Sequence, residues 1–262
     1  MIRLARIELY KLLSLRIAFG LLATSAALTA LFTTLEASRA GNSGSDVGPL
    51  FTSSGLGTVT TTTGWSMLFA AVLGAVVAAG EFRHSTATLT FLGTPDRNRV
   101  MVAKTLCCSL SGGAFGLASG LVATAIGLAI TAGHGYHVAL GAAPMVGHIG
   151  GAVLGAALFG AIGAVVGMLL RSQLAAVIGI FVWGLVLESL VGGLFISVRP
   201  YLPYTAATTL AGIKLGGAAF GPAHGLSGGS PLPFAAAAAL VAGVGALIGI
   251  VAARTTLKKD VT

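Results

Sequence analysis

Glu188 has the plainest claim to chemistry in this chain. It stands inside a long apolar run, QLAAVIGIFVWGLVLESLVGGLF. A carboxylate in such a run is costly to bury and faces protein or a water-filled cavity, which makes it a candidate for a substrate path, a gate, or an ion or proton site. A structural hydrogen bond is the competing reading. Arg199 is one candidate partner, although eleven residues of continuous helix would hold the two about 16 Å apart. A partner in a second subunit, or a protonated and neutral Glu188, would serve as well. His134 and His137 lie three residues apart with His148 nearby, but no carboxylate or thiolate accompanies them, so they read as surface histidines rather than metal ligands. Cys107 and Cys108 are adjacent, a poor arrangement for a long-range disulfide, and read as a structural or tolerated pair. The sequence contains no G-x-x-x-x-G-K-[ST], H-E-x-x-H or G-x-S-x-G. It therefore predicts no enzyme, and no cofactor or metal held by this chain itself.

The elements that would position Glu188 are set by composition. The chain is 55% hydrophobic and only 8% charged over 262 residues, with a mean hydropathy of +0.95, which excludes an ordinary soluble domain. A helix of about 20 apolar residues crosses the hydrocarbon, and six segments qualify: about 17–35, 63–80, 101–131, 147–170, 174–196 and 232–253. The expected fold is thus an all-α integral membrane protein, with residues 1–262 as a single transmembrane domain of six helices. The apolar run near the N-terminus exceeds a signal-peptide core of roughly 7–15 residues and reads as an uncleaved first span. In residues 1–15, Ile2, Ala5, Leu9 and Leu12 recur at helical spacing opposite Arg3, Arg6 and Lys11. That pattern predicts an amphipathic interfacial helix anchored by those three cations. Residues 36–62 read as a Gly/Ser/Thr-rich loop and 132–146 as a short one. The proline-interrupted 197–231 segment fits short helices or a re-entrant hairpin at the outer surface before the last span.

The formal charge of +8 is distributed as topology rather than as a nucleic-acid face. Arg3, Arg6, Lys11 and Arg16 precede the first span; Arg83, Arg97, Arg99 and Lys104 surround the connection from the second span to the third; Arg254, Lys258 and Lys259 close the chain. Both termini are expected in the cytoplasm. Glycines four apart, at 112, 116 and 120, at 147, 151 and 155, and at 245 and 249, let helix backbones approach closely. Packing within one subunit is the preferred reading of them over a dimer interface.

The stretch GEFRHSTATLTFLGTPDRNRVMVAK is a polar, basic island between two apolar runs. A short surface helix followed by a Gly93-Thr94-Pro95-Asp96 turn fits its residues, and such a helix fixed between two spans can transmit force from a docked cytoplasmic protein; on composition alone an ordinary topogenic loop is the preferred reading. The stretch resembles the cytoplasmic loop of ABC-2 type permeases, the membrane subunits of many bacterial ABC exporters. Glu81, Arg83, Thr86, Thr94, Pro95, Arg97 and Lys104 match that family's pattern, while Ser85 stands where a glycine is usual. The resemblance implies that residues 81–99 are the main coupling helix and that the turn at Arg171-Ser172-Gln173 is a smaller contact. It also implies that two six-span permeases form the translocation path, as a homodimer or a related heterodimer, in the bacterial cell (inner) membrane. ATP and Mg would be bound only by a separate ATP-binding cassette subunit, and the cargo would be a lipophilic molecule moved outward. A stand-alone, gradient-driven transporter using Glu188 as an ion or proton site is the alternative.

Overall fold

The computed structural model describes residues 10–12, 14–41, 47–83, 97–213 and 231–255, of which 81–83, 97 and 98 by backbone alone. Every regular element among them is helical. In chain order these are α1 (Arg16–Arg39), α2 (Ser53–Thr60), α3 (Gly64–Arg83), α4 (Arg97–Gly133) and α5 (Ala142–Leu170). A kinked helix follows, made of α6 (Gln173–Phe181), a π-helical turn (Val182–Leu187) and α7 (Glu188–Leu194); then come α8 (Pro203–Leu210) and α9 (Phe234–Thr255). Six stretches are long and apolar enough to cross a membrane, including Ser53–Gly80 and Gln173–Leu194 taken as units. They agree with the six expected spans, because hydropathy summed over about 20 residues is a strong signal.

The expected 36–62 loop is corrected in part. The first helix runs on to Arg39, and Ser53–Thr60 forms α2, capped by Thr52, whose hydroxyl accepts from the Gly55 N–H at 3.1 Å. Leu56 and Val59 are fully buried, so tertiary burial rather than propensity makes this helix. Gly55 is obligatory there, since a Cβ would strike the carbonyl oxygens of Gly48 and Pro49. Of the N-terminal segment, Lys11 is exposed and Leu12 is buried in the core, and Leu15 breaks the helix in an extended conformation before α1 begins. Arg3 and Arg6, and with them most of the expected interfacial helix, lie outside the described residues. So do Lys214 and residues 214–230 of the outer segment, whose described part is a 3-10 turn (Arg199–Tyr201) and α8.

The core is built on α5, which packs against α3 and α4 through small residues. A Cβ on Gly163 would strike the Ala71 carbonyl, one on Gly112 the Ala156 carbonyl, and one on Gly116 the Ala152 carbonyl. Gly155 lies against Met67 and Gly167 against Ala75, so α3 and α5 run in the same direction. Gly112 against Ala156 and Gly116 against Ala152 make α4 antiparallel to them. On α9, Gly245 meets Ile162 and Gly249 meets Val165, again parallel to α5. These glycines serve close packing inside one chain, as preferred from the sequence, although nothing lies within 4 Å of a Cβ on Gly147. Outward, α4 and the kinked helix carry exposed Leu106, Leu110, Leu117, Leu121, Ile178 and Leu190, as a bundle solvated by lipid requires.

Candidate functional site

Glu188 opens α7 and is 4% exposed. Residues Ala176, Ile180, Gly184, Glu188 and Gly192 form one buried stripe with a strict spacing of four. In a pure α-helix each step of four overshoots a 3.6-residue turn by about 40°, so the stripe would wind off the buried face. The π-helical turn at Val182–Leu187 slows that rotation and keeps Gly184 and Glu188 on the bundle side. Gly184 lets the turn approach Leu68 on α3, whose Cδ2 would lie 2.6 Å from an added Cβ.

The carboxylate joins three parts of the fold. Oε1 accepts from the Trp183 indole N–H at 2.8 Å and from the Tyr204 backbone N–H at 2.8 Å. Oε2 accepts from the Thr205 backbone N–H at 3.0 Å and lies 3.3 Å from the Thr205 hydroxyl. Tyr204 and Thr205 are in the first turn of α8, directly after Pro203 at its first position. Proline has no N–H, and Leu202 gives α8 no side-chain cap. Glu188 therefore caps α8 from a distant helix, satisfying the first two free backbone donors and placing negative charge at the positive end of the helix dipole. These partners account for the structural hydrogen-bond reading without Arg199. Arg199 itself is buried, with its side-chain stem against Gly192.

The tip of α8 extends this junction into the bundle. The Tyr204 ring packs edge-on against Phe159 of α5, with centroids 5.8 Å apart. Its phenol pKa is pushed up by burial and, secondarily, by the charge of Glu188, so it remains a neutral hydrogen-bonding group. Ala206, Ala207 and Leu210 are buried, and a Cβ on Gly151 of α5 would strike the Leu210 carbonyl. Trp183, Tyr204 and Thr205 were not singled out from sequence. Two of them lie 16 and 17 residues from Glu188 across a turn, and only Pro203 followed by a moderately apolar run marked a helix start there.

The second group of candidate residues lies at one end of the bundle. Because α3 and α5 are parallel and α4 is antiparallel, Arg83 at the end of α3, Arg97 at the start of α4 and Arg171 after α5 share that end. Arg171 adopts a left-handed conformation (φ 51°) that terminates α5, and Ser172 then caps α6, its hydroxyl accepting from the Ala175 N–H at 3.4 Å. Thr86, Thr94 and Pro95 lie outside the described residues, and Glu81, Arg83 and Arg97 are placed by their helical backbone alone. Lys104 and the neighbouring pair Cys107 and Cys108 are buried in α4, and neither cysteine forms a disulfide.

The histidines separate. His134 stacks on Tyr136 at 5.8 Å, and Tyr136 contacts Phe51 at 5.6 Å, in the exposed α4–α5 connection. His148 is on α5, with Nδ1 3.3 Å from the Thr60 hydroxyl. Among the described residues no group of His, Cys, Asp and Glu could hold a metal ion. Comparison with protein-family models and with curated proteins finds no match for this chain.

Proposed function

We propose that this chain is the membrane-spanning permease subunit of an ATP-driven exporter of the ABC-2 type, working with a second permease copy and a separate ATP-binding cassette subunit. One observation carries the reading. A single end of a six-span bundle gathers the connection from Arg83 to Arg97, the Arg171–Gln173 turn, the start of α1 at Arg16 and the end of α9 at Arg254–Thr255. That end is basic, and by the positive-inside rule it faces the cytoplasm. A cytoplasmic ATPase would find both contact segments on one surface, with Glu81, Arg83, Thr86, Thr94, Pro95 and Arg97 forming the larger contact. ATP and Mg would act only in that partner, and this chain would supply the two-state packing that the nucleotide biases.

In this reading Glu188 is a gating group through its cap on α8. It ties the fifth span to the short helix at the opposite end of the bundle, so that movement of one is felt by the other. A lipophilic cargo suits the apolar interior of such a bundle. The protein would lie in a bacterial cell membrane with both termini in the cytoplasm.

The test is co-expression with the ATPase encoded beside this gene, followed by ATP turnover of the purified complex in lipid. A stable complex with vanadate-sensitive hydrolysis is expected. Glu81→Ala or Arg83→Ala should uncouple transport from hydrolysis while membrane insertion is unchanged. Absence of a complex, or coupling unaffected by both substitutions, would overturn the assignment.

A further inference from the structure

The fifth span carries one residue more than a regular helix needs. Ala176, Ile180, Gly184, Glu188 and Gly192 are buried, while Leu174, Ile178, Val182, Val186, Leu190 and Leu194 are exposed, each row at a spacing of four. Between residues 176 and 192 a regular α-helix would turn such a row by about 160°, from one side of the helix to the other. The π-helical turn at Val182–Leu187 removes most of that rotation by spreading one turn over an extra residue.

Trp183 and Glu188 are joined twice across this turn. The Glu188 N–H bonds the Trp183 carbonyl, the five-residue step of a π turn, and the Trp183 indole N–H returns to Glu188 Oε1 at 2.8 Å. In a regular α-helix residues five apart lie about 140° apart around the axis, so the indole bond depends on the π turn. The other three donors to this carboxylate come from α8: the Tyr204 N–H, and the N–H and hydroxyl of Thr205. Without the extra residue, Leu187 and Val191 would take the inward places of Glu188 and Gly192. Ile180, Gly184, Leu187 and Val191 would then form an apolar face at ordinary helical spacing. Glu188 would turn by about 100° to the flank of the helix. The carboxylate therefore separates the two registers: inward it meets four donors, and outward it stands uncompensated among apolar residues.

We propose that the π turn is a register switch in the fifth span, held by Glu188 and its α8 donors and released to a regular α-helix when they are lost. Release rotates residues 188–194 by about 100° and shifts them by about 1.5 Å along the axis. The first half of the helix stays in place, fixed by buried Ala176 and Ile180. Its other half passes the change on, because Arg199 Cγ lies 3.1 Å from a Cβ placed on Gly192, and Val191 in that place would push the arginine aside. Departure of α8 is the trigger, since it removes three of the four donors. The switch belongs to this chain alone and needs no ATPase partner.

The test is a pair of spin-label distances in the full chain in lipid nanodiscs. One nitroxide is placed on Leu190→Cys, and the other on Val146→Cys in one sample and Leu121→Cys in a second, all three positions being exposed. A rotation of about 100° carries a side-chain tip, at a radius of about 5–6 Å, through roughly 8 Å. Glu188→Leu should therefore shift at least one of the two distances by several ångström. Trp183→Phe leaves the α8 donors in place and should keep the native distances. Native distances in Glu188→Leu would overturn the proposal, because the turn would then stand without the carboxylate. If that variant does not fold, two deletions decide. Deletion of Val186 removes the extra residue while each half of the helix keeps its inward face, so the Leu190 distances should persist and the thermal midpoint should stay within roughly 2–4 °C of native. Deletion of Val177, in the regular part of the same helix, should instead turn Glu188 away from α8 and shift the distances or prevent folding. Equal damage from both deletions would show that the turn holds no removable residue, and the switch would be excluded.

Discussion

At the scale of the residue, Glu188 is held as an acceptor from every side. Oε1 faces two N–H donors, from Trp183 and Tyr204, and Oε2 faces the Thr205 N–H and hydroxyl. Glu188→Gln keeps the volume but turns one oxygen into an NH2 group. Whichever way the amide is flipped, that NH2 meets a backbone N–H, a donor against a donor. The substitution should therefore destabilise the protein by about 1–3 kcal/mol, visible as a lower thermal midpoint, whereas a mere loss of charge at a lipid-facing site would stabilise it. Trp183→Phe removes one donor and should cost less, about 1 kcal/mol. The sequence marked Glu188 because a carboxylate among apolar residues is conspicuous. It could not show Tyr204 and Thr205 as partners, because they arrive where a chain reversal returns the first turn of α8 to the same level. Arg199 was one candidate partner, set about 16 Å away along a continuous helix; the helix in fact ends at Leu194 and a 3-10 turn begins at Arg199.

At the scale of the element, α5 is fixed by what its glycines exclude. A Cβ on Gly163 would collide with the Ala71 backbone, which belongs to a helix and cannot yield like a side-chain tip. Gly163→Val should force α3 and α5 apart and cost on the order of 1–3 kcal/mol or more. Gly147→Ala, on the same helix with nothing within 4 Å of its Cβ, should be neutral or stabilising through helix propensity, by up to about 1 kcal/mol. Thermal unfolding of the two variants side by side checks this, and equal costs would contradict intrachain packing as the role of the spacing. The six long helices were readable from sequence because each is a sum over many apolar residues. The short helix α2 was not, since SSGLGTVT carries weak propensity and folds only because Leu56 and Val59 find a buried site. Nor was the π-helical turn, whose sequence VWGLVL has no signature of its own; only the strict spacing of 176, 180, 184, 188 and 192 betrays it.

At the scale of the whole molecule, parallel and antiparallel packing sorts the charges before any membrane is considered. Arg16, Arg97, Arg171 and Arg254 lie at one end of the bundle, and Arg39 and Arg199 lie at the other. The bias toward the first end is what the positive-inside rule reads as cytoplasmic, and it makes a labelling prediction. Cys107 and Cys108 are buried, so the native chain should react little with a membrane-impermeant maleimide. His137→Cys, in the exposed α4–α5 connection, should be labelled on intact cells, and Thr255→Cys, at the exposed end of α9, only after the membrane is opened. The reverse pattern would invert the bundle and place the Arg83–Arg97 connection outside. No cytoplasmic ATPase could then reach it, and the proposed function would fail with the topology. The clustering of cations around the connection from the second span to the third could be read from the sequence because charge and hydropathy are local properties. The convergence of the Arg171 turn with that connection depends on the mutual direction of α3, α4 and α5, which glycine contacts define only once the chain is folded.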